Sequence, residues 1–233
     1  MILFENREDA AEKLIASMPI EQMKKEVWEV FAISENGAQI AAIVAKAIGS
    51  KLDYLFTEPI TSPVNKDCWI AVVSETEEIV INHNLANAFE INTDYIYGEA
   101  KRKHDERILS YLYKYRKGGA LRNMHGKNVL IVDEGADTGL TLMVSLKTIF
   151  AMNPARVAVA FPVIPESLAT ELFSLVDDAY LPNRLLHYVE AKSYYRVLDL
   201  VDPVIVIESS RTEKPTKKEN NEPTTDHANP NTQ

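Results

Sequence analysis

The sequence predicts an α/β protein with an open, mostly parallel sheet and helices on both faces. Apolar runs without alternation, which are typical of strands covered on both sides, recur along the chain and are clearest at Val129–Val132. Helical patterns such as Ala38–Ile48 lie between these runs. Strands that alternate with helices favour a parallel sheet built from strand–helix–strand units.

Start and stop residues mark the predicted helices. Asn6 is a suitable N-cap, Gly49 a suitable helix end, and Pro165 suits a first turn. The predicted helices are 7–15, Ala38–Ile48, Glu99–Tyr115, Thr141–Met152 and Glu166–Leu175. In the charged third helix, the side chains expected to face inward are Ile108, Leu109, Leu112 and Tyr115.

Residues of high β-propensity, many of them β-branched or aromatic, mark the predicted strands. These strands are Val27–Ile33, Leu52–Thr57, Trp69–Ser74, Ile79–Asn82, Val129–Val132, Arg156–Val163 and Ala179–Leu181. Glu58–Asp67 contains two prolines and is predicted to be a loop. Residues 1–208 are predicted to form one domain. Residues 209–233 are rich in Thr, Asn, Pro, Lys and Glu without apolar periodicity, so we expect a disordered tail.

Composition narrows the functional classes. A chain of 233 residues with 46% hydrophobic content can form a substantial core. The net charge of −9 argues against nucleic-acid binding, and no apolar run is long enough to cross a membrane. The single cysteine, Cys68, excludes an intramolecular disulfide, and the scattered histidines lack metal-ligand spacing. These features predict a cytoplasmic protein.

The most informative stretch runs from the strand Val129–Val132 into Asp133, Glu134, Asp137 and Thr138-Gly139-Leu140-Thr141. In an open α/β sheet, ligands bind beyond the carboxyl ends of the strands, where these residues would lie. Backbone amides from residue 137 to residue 141, at a helix start, suit a phosphate. Thr138 and Thr141 add hydroxyl donors, and Gly139 allows close approach.

The carboxylate pair formed by Asp133 and Glu134 suits a different chemical group. It would repel a phosphate, but it can accept hydrogen bonds from vicinal hydroxyls and hold the waters of Mg²⁺. Ribose 5-phosphate presents a phosphate and a diol together. The alternative without a ligand site is an acidic strand end followed by a capped helix. A receiver domain also has an acidic pair after a strand, although near its beginning.

The stretch resembles the PRPP-binding loop of type I phosphoribosyltransferases, in which two acidic residues and two variable residues precede Asp-Thr-Gly-x-Thr. The wider layout is similar to a bacterial group of phosphoribosyltransferases of unassigned substrate. Supporting motifs are Phe4-x-x-Arg7-x-x-Ala10, Leu52-Asp53, Pro63-x-Asn65, Tyr115-Arg116-x-Gly118-Gly119 and Tyr194-Tyr195.

The resemblance implies transfer of a phosphoribosyl group between PRPP and a nitrogenous base, with Mg²⁺ as cofactor. Asp133 and Glu134 would hold the ribose hydroxyls and contact the metal only indirectly, through water or ribose. Asp137 would be the general base or charge stabiliser. The phosphate would lie on Thr138, Gly139, Leu140 and Thr141, with the Leu140 side chain turned into the core.

Two departures from the family pattern affect the pyrophosphate side. The usual Pro-Arg-Gly-Gly loop is replaced by Ser34-Glu35-Asn36-Gly37, and a usual basic pair is replaced by Glu58-Pro59. Asn36 and Gly37 would then offer weaker pyrophosphate contacts. Either Glu35 and Glu58 point to solvent while the main chain binds pyrophosphate, or this half of the site is lost.

Two functional classes therefore stay open. One is an active enzyme that uses PRPP or a nucleoside monophosphate. The other is a catalytically degenerate module that senses a nucleotide or sugar phosphate, or binds a protein partner. Hydrolase action at the same loop is a weaker third reading because no nucleophile other than threonine is evident. The acceptor base and the oligomeric state stay open, although a homodimer is common among proteins of this kind.

Overall fold

The computed structural model describes residues 1–199, and the predicted tail lies outside the described residues. The described helices are α1 (Arg7–Ala16), α2 (Ile20–Met23), α3 (Ala38–Ile48), α4 (His83–Ala88), α5 (Thr93–Lys103), α6 (Leu109–Arg116), α7 (Leu140–Phe150) and α8 (Glu166–Leu175). A π-helical turn, His104–Ile108, joins α5 to α6, and a 3-10 turn spans Ala191–Tyr194. None of the helices within residues 1–199 has the length and apolar character to span a bilayer.

The strands are β1 (Trp28–Ala32), β2 (Lys51–Tyr54), β3 (Thr57–Thr61), β4 (Trp69–Ser74), β5 (Ile79–Ile81), β6 (Asn128–Val132), β7 (Arg156–Ala160), β8 (Val163–Pro165), β9 (Asp178–Tyr180) and β10 (Asn183–Leu185). The central sheet has the order β2-β1-β6-β7-β9, and all its pairings are parallel. The predicted open parallel sheet is thus confirmed. A small antiparallel sheet, β3-β4-β5, and a parallel pair, β10-β8, complete the fold.

Side chains of the central strands alternate between two hydrophobic cores, one on each face of the sheet. Leu130 and Val132 of β6 pack on one face with residues of α1 and α3. Val129 and Ile131 pack on the other face with residues of α7 and α8. Burial on both faces explains why this strand reads as an unbroken apolar run.

The region after β2 differs from the prediction. The sequence suggested a strand Leu52–Thr57 followed by a loop, but β2 ends at Tyr54 and a separate strand, β3, spans Thr57–Thr61. Pro59 lies within β3. This strand is at the edge of the small sheet, where a residue without an N–H group is tolerated.

We expect Leu130→Ala to lower the free energy of unfolding by roughly 2–5 kcal/mol, because it opens a cavity in the core beside the central strand. Leu130 is fully buried. The control is Leu186→Ala, at a side chain that is 84% exposed, where the change should stay within about 0.5 kcal/mol. Urea unfolding of both variants is the measurement, and equal losses would contradict the described packing.

Candidate functional site

The candidate site lies at the carboxyl edge of the central sheet, where two loops meet. Strands β1 and β6 pair in parallel with Ala32 opposite Val132, so the segments that follow them emerge side by side. We call these segments the 34–37 loop and the 133–139 loop. Ser34 Oγ donates a hydrogen bond of 2.5 Å to Asp133 Oδ1 and accepts one of 2.9 Å from the Gly37 amide. The two loops are therefore in direct contact.

Asp133 is buried beneath the 34–37 loop, and its side chain is only slightly exposed. Besides Ser34 Oγ, its Oδ1 accepts a hydrogen bond of 2.7 Å from the Glu134 amide. Burial raises the pKa of this carboxyl from 3.8 to about 7, although both hydrogen bonds oppose the rise. A Cβ atom at Gly37 would lie 2.0 Å from Oδ1, so only glycine fits there.

Glu134 is held by Arg7, the first residue of α1. Its Oε2 lies 2.9 Å from Nε of Arg7, and both side chains are buried. Nη1 of Arg7 also donates to the Asp199 carbonyl at 2.6 Å. A buried carboxylate needs such a partner, and the pair fixes the Glu134 carboxylate in one position.

Asp137, the predicted catalytic residue, lies on the exposed part of the 133–139 loop. Its Oδ1 accepts a hydrogen bond of 2.8 Å from the Tyr188 hydroxyl and one of 2.9 Å from the Ala191 amide. Both donors belong to the segment after β10. That segment therefore borders the predicted reaction centre, a contact that the sequence analysis did not anticipate.

The turn between Asp137 and Thr141, where the sequence predicts phosphate binding, leads directly into α7. Gly139 adopts a left-handed conformation with φ of +75°, and α7 begins directly after it without a side-chain cap. Thr138 is exposed and Thr141 is half-buried. The Leu140 side chain turns inward, as expected, and packs with Val72 and Val144. Helix-start amides of this kind form an anion site.

The acidic residues on the predicted pyrophosphate side do not share one environment. Glu35 and Asn36 are exposed, which agrees with one of the two explanations given above. Glu58 is only 9% exposed, so the idea that it points to solvent is wrong. Its Oε1 accepts from the Tyr111 hydroxyl at 2.8 Å, and its Oε2 lies 3.3 Å from Lys103 Nζ. Lys103 lies in α5, far from Glu58 in the sequence, so no local sequence pattern could predict this contact.

A cavity of about 340 Å³ opens beside the 34–37 loop, and we call it the aromatic cavity. It is lined by Ile33, Ser34, Glu35, Tyr54, Phe56, Thr57, Glu58, Pro59, Trp69, Tyr111, Tyr115 and Thr141. This cavity was not predicted from the sequence. The one available signal was the i, i+4 spacing of Tyr111 and Tyr115, which places both rings on one face of a helix.

The described side chains do not form a preassembled metal-binding site. Within residues 1–199, no group of three or more His, Cys, Asp or Glu side chains is placed to hold a metal ion. Asp133 and Glu134 are adjacent, but each already has a partner in the protein. Because both carboxylates are buried and partnered, they do not fit a directly ligated ion, and contact with a hydrated ion would require the 34–37 loop to move.

The parallel sheet and the 133–139 loop resemble those of type I phosphoribosyltransferases. Curated relatives agree with this class. "Putative phosphoribosyl transferase Rv0571c" of Mycobacterium tuberculosis strain H37Rv is 21% identical over 207 residues, which cover 88% of this chain and 46% of the relative. Its counterpart MT0597 in strain CDC 1551 matches equally. The chain thus spans about half the length of the curated relatives it matches.

A solved structure supports the fold. The crystal structure of TT1426 from Thermus thermophilus matches with a TM-score of 0.68 and 22% identity, covering 89% of this chain and 99% of that one. No family model matches the sequence. The names of the curated relatives support the resemblance inferred from the loop motif, and the solved structure shows the fold alone.

We expect Gly37→Ala to destabilise the protein by roughly 1–3 kcal/mol, because the added Cβ would overlap Asp133. A matched control is Gly98→Ala, since a Cβ at this helical position meets nothing within 4 Å. Removing a glycine from a helix should stabilise by roughly 0.5–1 kcal/mol. Thermal and urea unfolding measure both changes, and a neutral Gly37→Ala would refute the described contact.

The raised pKa of Asp133 predicts a pH-dependent stability. Between about pH 4 and pH 7 the folded protein keeps a proton that the unfolded chain has lost. The stability from this group is present below about pH 4 and is lost as the pH rises through 7. Asp133→Asn keeps the Oδ1 acceptor without titrating. Relative to this variant, the wild type should lose on the order of 4 kcal/mol across the interval.

Urea unfolding of the wild type and Asp133→Asn at steps from about pH 4 to pH 8 would measure this difference. Parallel stability profiles for the two proteins would show that the Asp133 carboxyl titrates normally.

Proposed function

We propose that this protein binds the phosphoribosyl part of PRPP or a nucleoside monophosphate and transfers it to or from a nitrogenous base. The observation that carries the proposal is the open turn at Asp137–Thr141, which follows a carboxylate pair at the end of the central strand. The fold and the phosphoribosyltransferase names of the relatives agree with this reading.

In this proposal the 5′-phosphate binds the amides of residues 138–141 and the hydroxyls of Thr138 and Thr141. The helix start supplies aligned N–H groups and a favourable dipole for the dianion. Leu140 contributes only its main chain because its side chain is buried. Gly139 gives the turn its left-handed conformation, and a Cβ atom there would meet the Leu168 side chain at 2.9 Å.

The ribose diol would lie against Asp133 and Glu134. Glu134 is already oriented by Arg7, so little freedom is lost when it accepts a hydroxyl. Asp133 is covered by Ser34 and Gly37, and the 34–37 loop must move away before a diol can reach it. Binding is therefore coupled to a rearrangement of this loop, which also carries the weaker pyrophosphate contacts Asn36 and Gly37.

Asp137 would lie nearest the reacting ring and stabilise positive charge that develops at C1, or accept a proton from the attacking base. Tyr188 and Ala191 each donate a hydrogen bond to its Oδ1 and hold the carboxylate in a single orientation. Fixed orientation is the requirement for positional control of the transfer.

Mg²⁺ would be held mainly by the substrate's own oxygens, with its waters contacting Asp133 and Glu134. When bound, the ion neutralises the charge of the leaving pyrophosphate. This role suits the described side chains because Mg²⁺ retains waters readily.

The test is isothermal titration calorimetry with ribose 5-phosphate, PRPP with Mg²⁺, and nucleoside monophosphates, followed by a pyrophosphate-release assay over a panel of bases. We expect Thr138→Val to weaken ribose 5-phosphate binding roughly fivefold to tenfold through one lost hydrogen bond. Thr170→Val is the control, since its hydroxyl bonds within α8 and it lies on an exposed face. Asp137→Asn should abolish pyrophosphate release while ribose 5-phosphate still binds.

Each outcome decides between the two classes. Pyrophosphate release that depends on Asp137 supports the transferase and excludes the sensing module. Tight monophosphate binding without PRPP turnover favours the sensing module and rejects the transferase. Unchanged ribose 5-phosphate binding by Thr138→Val would show that the phosphate does not bind at this turn.

A further inference from the structure

The aromatic cavity has no ligand in the proposed function, although it is a built site. Four rings form one continuous wall: Phe56 lies 4.9 Å from Tyr54, 5.9 Å from Tyr111 and 5.5 Å from Tyr115, measured between ring centroids. Phe56 and Tyr115 are stacked with an interplanar angle of 17°. Trp69 also lines the cavity and is 42% exposed. Pockets of this size and lining bind small molecules.

The charged groups of the cavity are all acidic. Its formally charged lining residues are Glu35 and Glu58, and no lysine, arginine or histidine of the described chain lines it. Glu58 is fixed in the wall by the Tyr111 hydroxyl at 2.8 Å. The nearby Lys103 contacts Glu58 at 3.3 Å and neutralises part of its charge without lining the cavity. Such a surface repels a polyanion, so pyrophosphate is a poor occupant.

A cation already lies against this wall. The Arg116 guanidinium is 4.9 Å from the Phe56 ring centroid. It is held by the Glu75 carboxylate, with contacts of 2.5 and 2.6 Å, and by the Tyr54 carbonyl. The fold thus uses a ring of the cavity for a cation–π contact and offsets the positive charge with an acid.

The tyrosines respond to the same acidic surroundings. Burial raises the pKa of Tyr111 to about 12, and its hydrogen bond to Glu58 adds to the rise. Burial also raises the pKa of Tyr54, with further contributions from the charges of Asp133 and Glu35. Both hydroxyls therefore stay protonated at neutral pH, which leaves the two glutamates as the charges that a ligand meets.

We propose that the aromatic cavity binds a small flat organic cation, namely a protonated or quaternised nitrogen heterocycle. The rings supply stacking and cation–π attraction, while Glu35 and Glu58 supply the opposite charge. Thr141 links the cavity to the turn that we assign to the phosphate, so both sites can be filled by one ligand or by neighbours. Cation binding requires no transfer chemistry, and it therefore stands or falls separately from the proposed function.

The test compares two probes of the same shape with the wild-type protein. 1-Methylpyridinium carries a positive charge and toluene does not. We expect 1-methylpyridinium to bind saturably and roughly tenfold more tightly than toluene, as followed by NMR titration of the aromatic resonances. Equal affinity for the two probes, or no binding of 1-methylpyridinium, would overturn the proposal. Displacement of bound 1-methylpyridinium by inorganic pyrophosphate, followed by the same aromatic resonances, would also overturn the proposal.

Variants that remove one carboxylate test which glutamates attract the cation. Glu58→Gln and Glu35→Gln should each weaken 1-methylpyridinium binding roughly fivefold while leaving toluene binding unchanged. Glu77→Gln, at an exposed residue outside the cavity, is the matched control and should have no effect. Glu35 is exposed, so its variant stays informative if Glu58→Gln fails to fold. Loss of affinity in Glu77→Gln equal to that in Glu35→Gln would reject the cavity as the binding place.

Discussion

The close approach between Gly37 and the Asp133 carboxylate is the constraint on which the site depends. Parallel pairing of β1 with β6 brings both residues to the same edge of the sheet, and the missing side chain at position 37 lets them touch. Helix α3 starts at Ala38, directly after this contact. The position of a whole helix is thereby tied to the end of the central strand. Burial of Asp133 follows from the same contact, and with it the raised pKa.

The three acidic residues of the 133–139 loop are stabilised in three different ways. Asp133 gains hydrogen bonds from Ser34 and its own neighbour and binds a proton more readily than usual. Glu134 is paired with Arg7. Asp137 is oriented by donors from the segment after β10. Two of the three carboxylates therefore have fixed positions, while the third is covered by the 34–37 loop.

Local patterns were sufficient to predict the central elements. The unbroken apolar run of β6 and the Ala/Ile-rich stretch closed by Gly49 are determined by burial and by a single C-cap, so the sequence shows them directly. The turn at Gly139 was likewise recognisable from its local residues. The 34–37 loop and the 133–139 loop meet because the strands before them pair in parallel.

The remaining features depend on contacts that are distant in sequence. Pro59 suggested a loop, but the edge position of β3 removes the need for its N–H group. Leu109 was predicted to face inward and is 37% exposed, while Ile108 is fully buried. The π-helical turn His104–Ile108 places an extra residue in the helix and breaks the 3.6-residue periodicity on which that prediction relied. Glu58 is buried because α5 and α6 supply its partners.

The pairing of Phe4 with Tyr195 ties the 133–139 loop to the first segment of the described chain. The amides of Leu3 and Phe4 bond the Tyr194 carbonyl at 2.8 and 3.0 Å, and the Tyr195 hydroxyl bonds the Glu134 carbonyl at 2.7 Å. A truncation before Tyr194 would therefore keep every strand of the central sheet and still remove the contact that holds the Glu134 carbonyl. The strands alone do not fix this loop, because its position also depends on segments from both ends of the described residues.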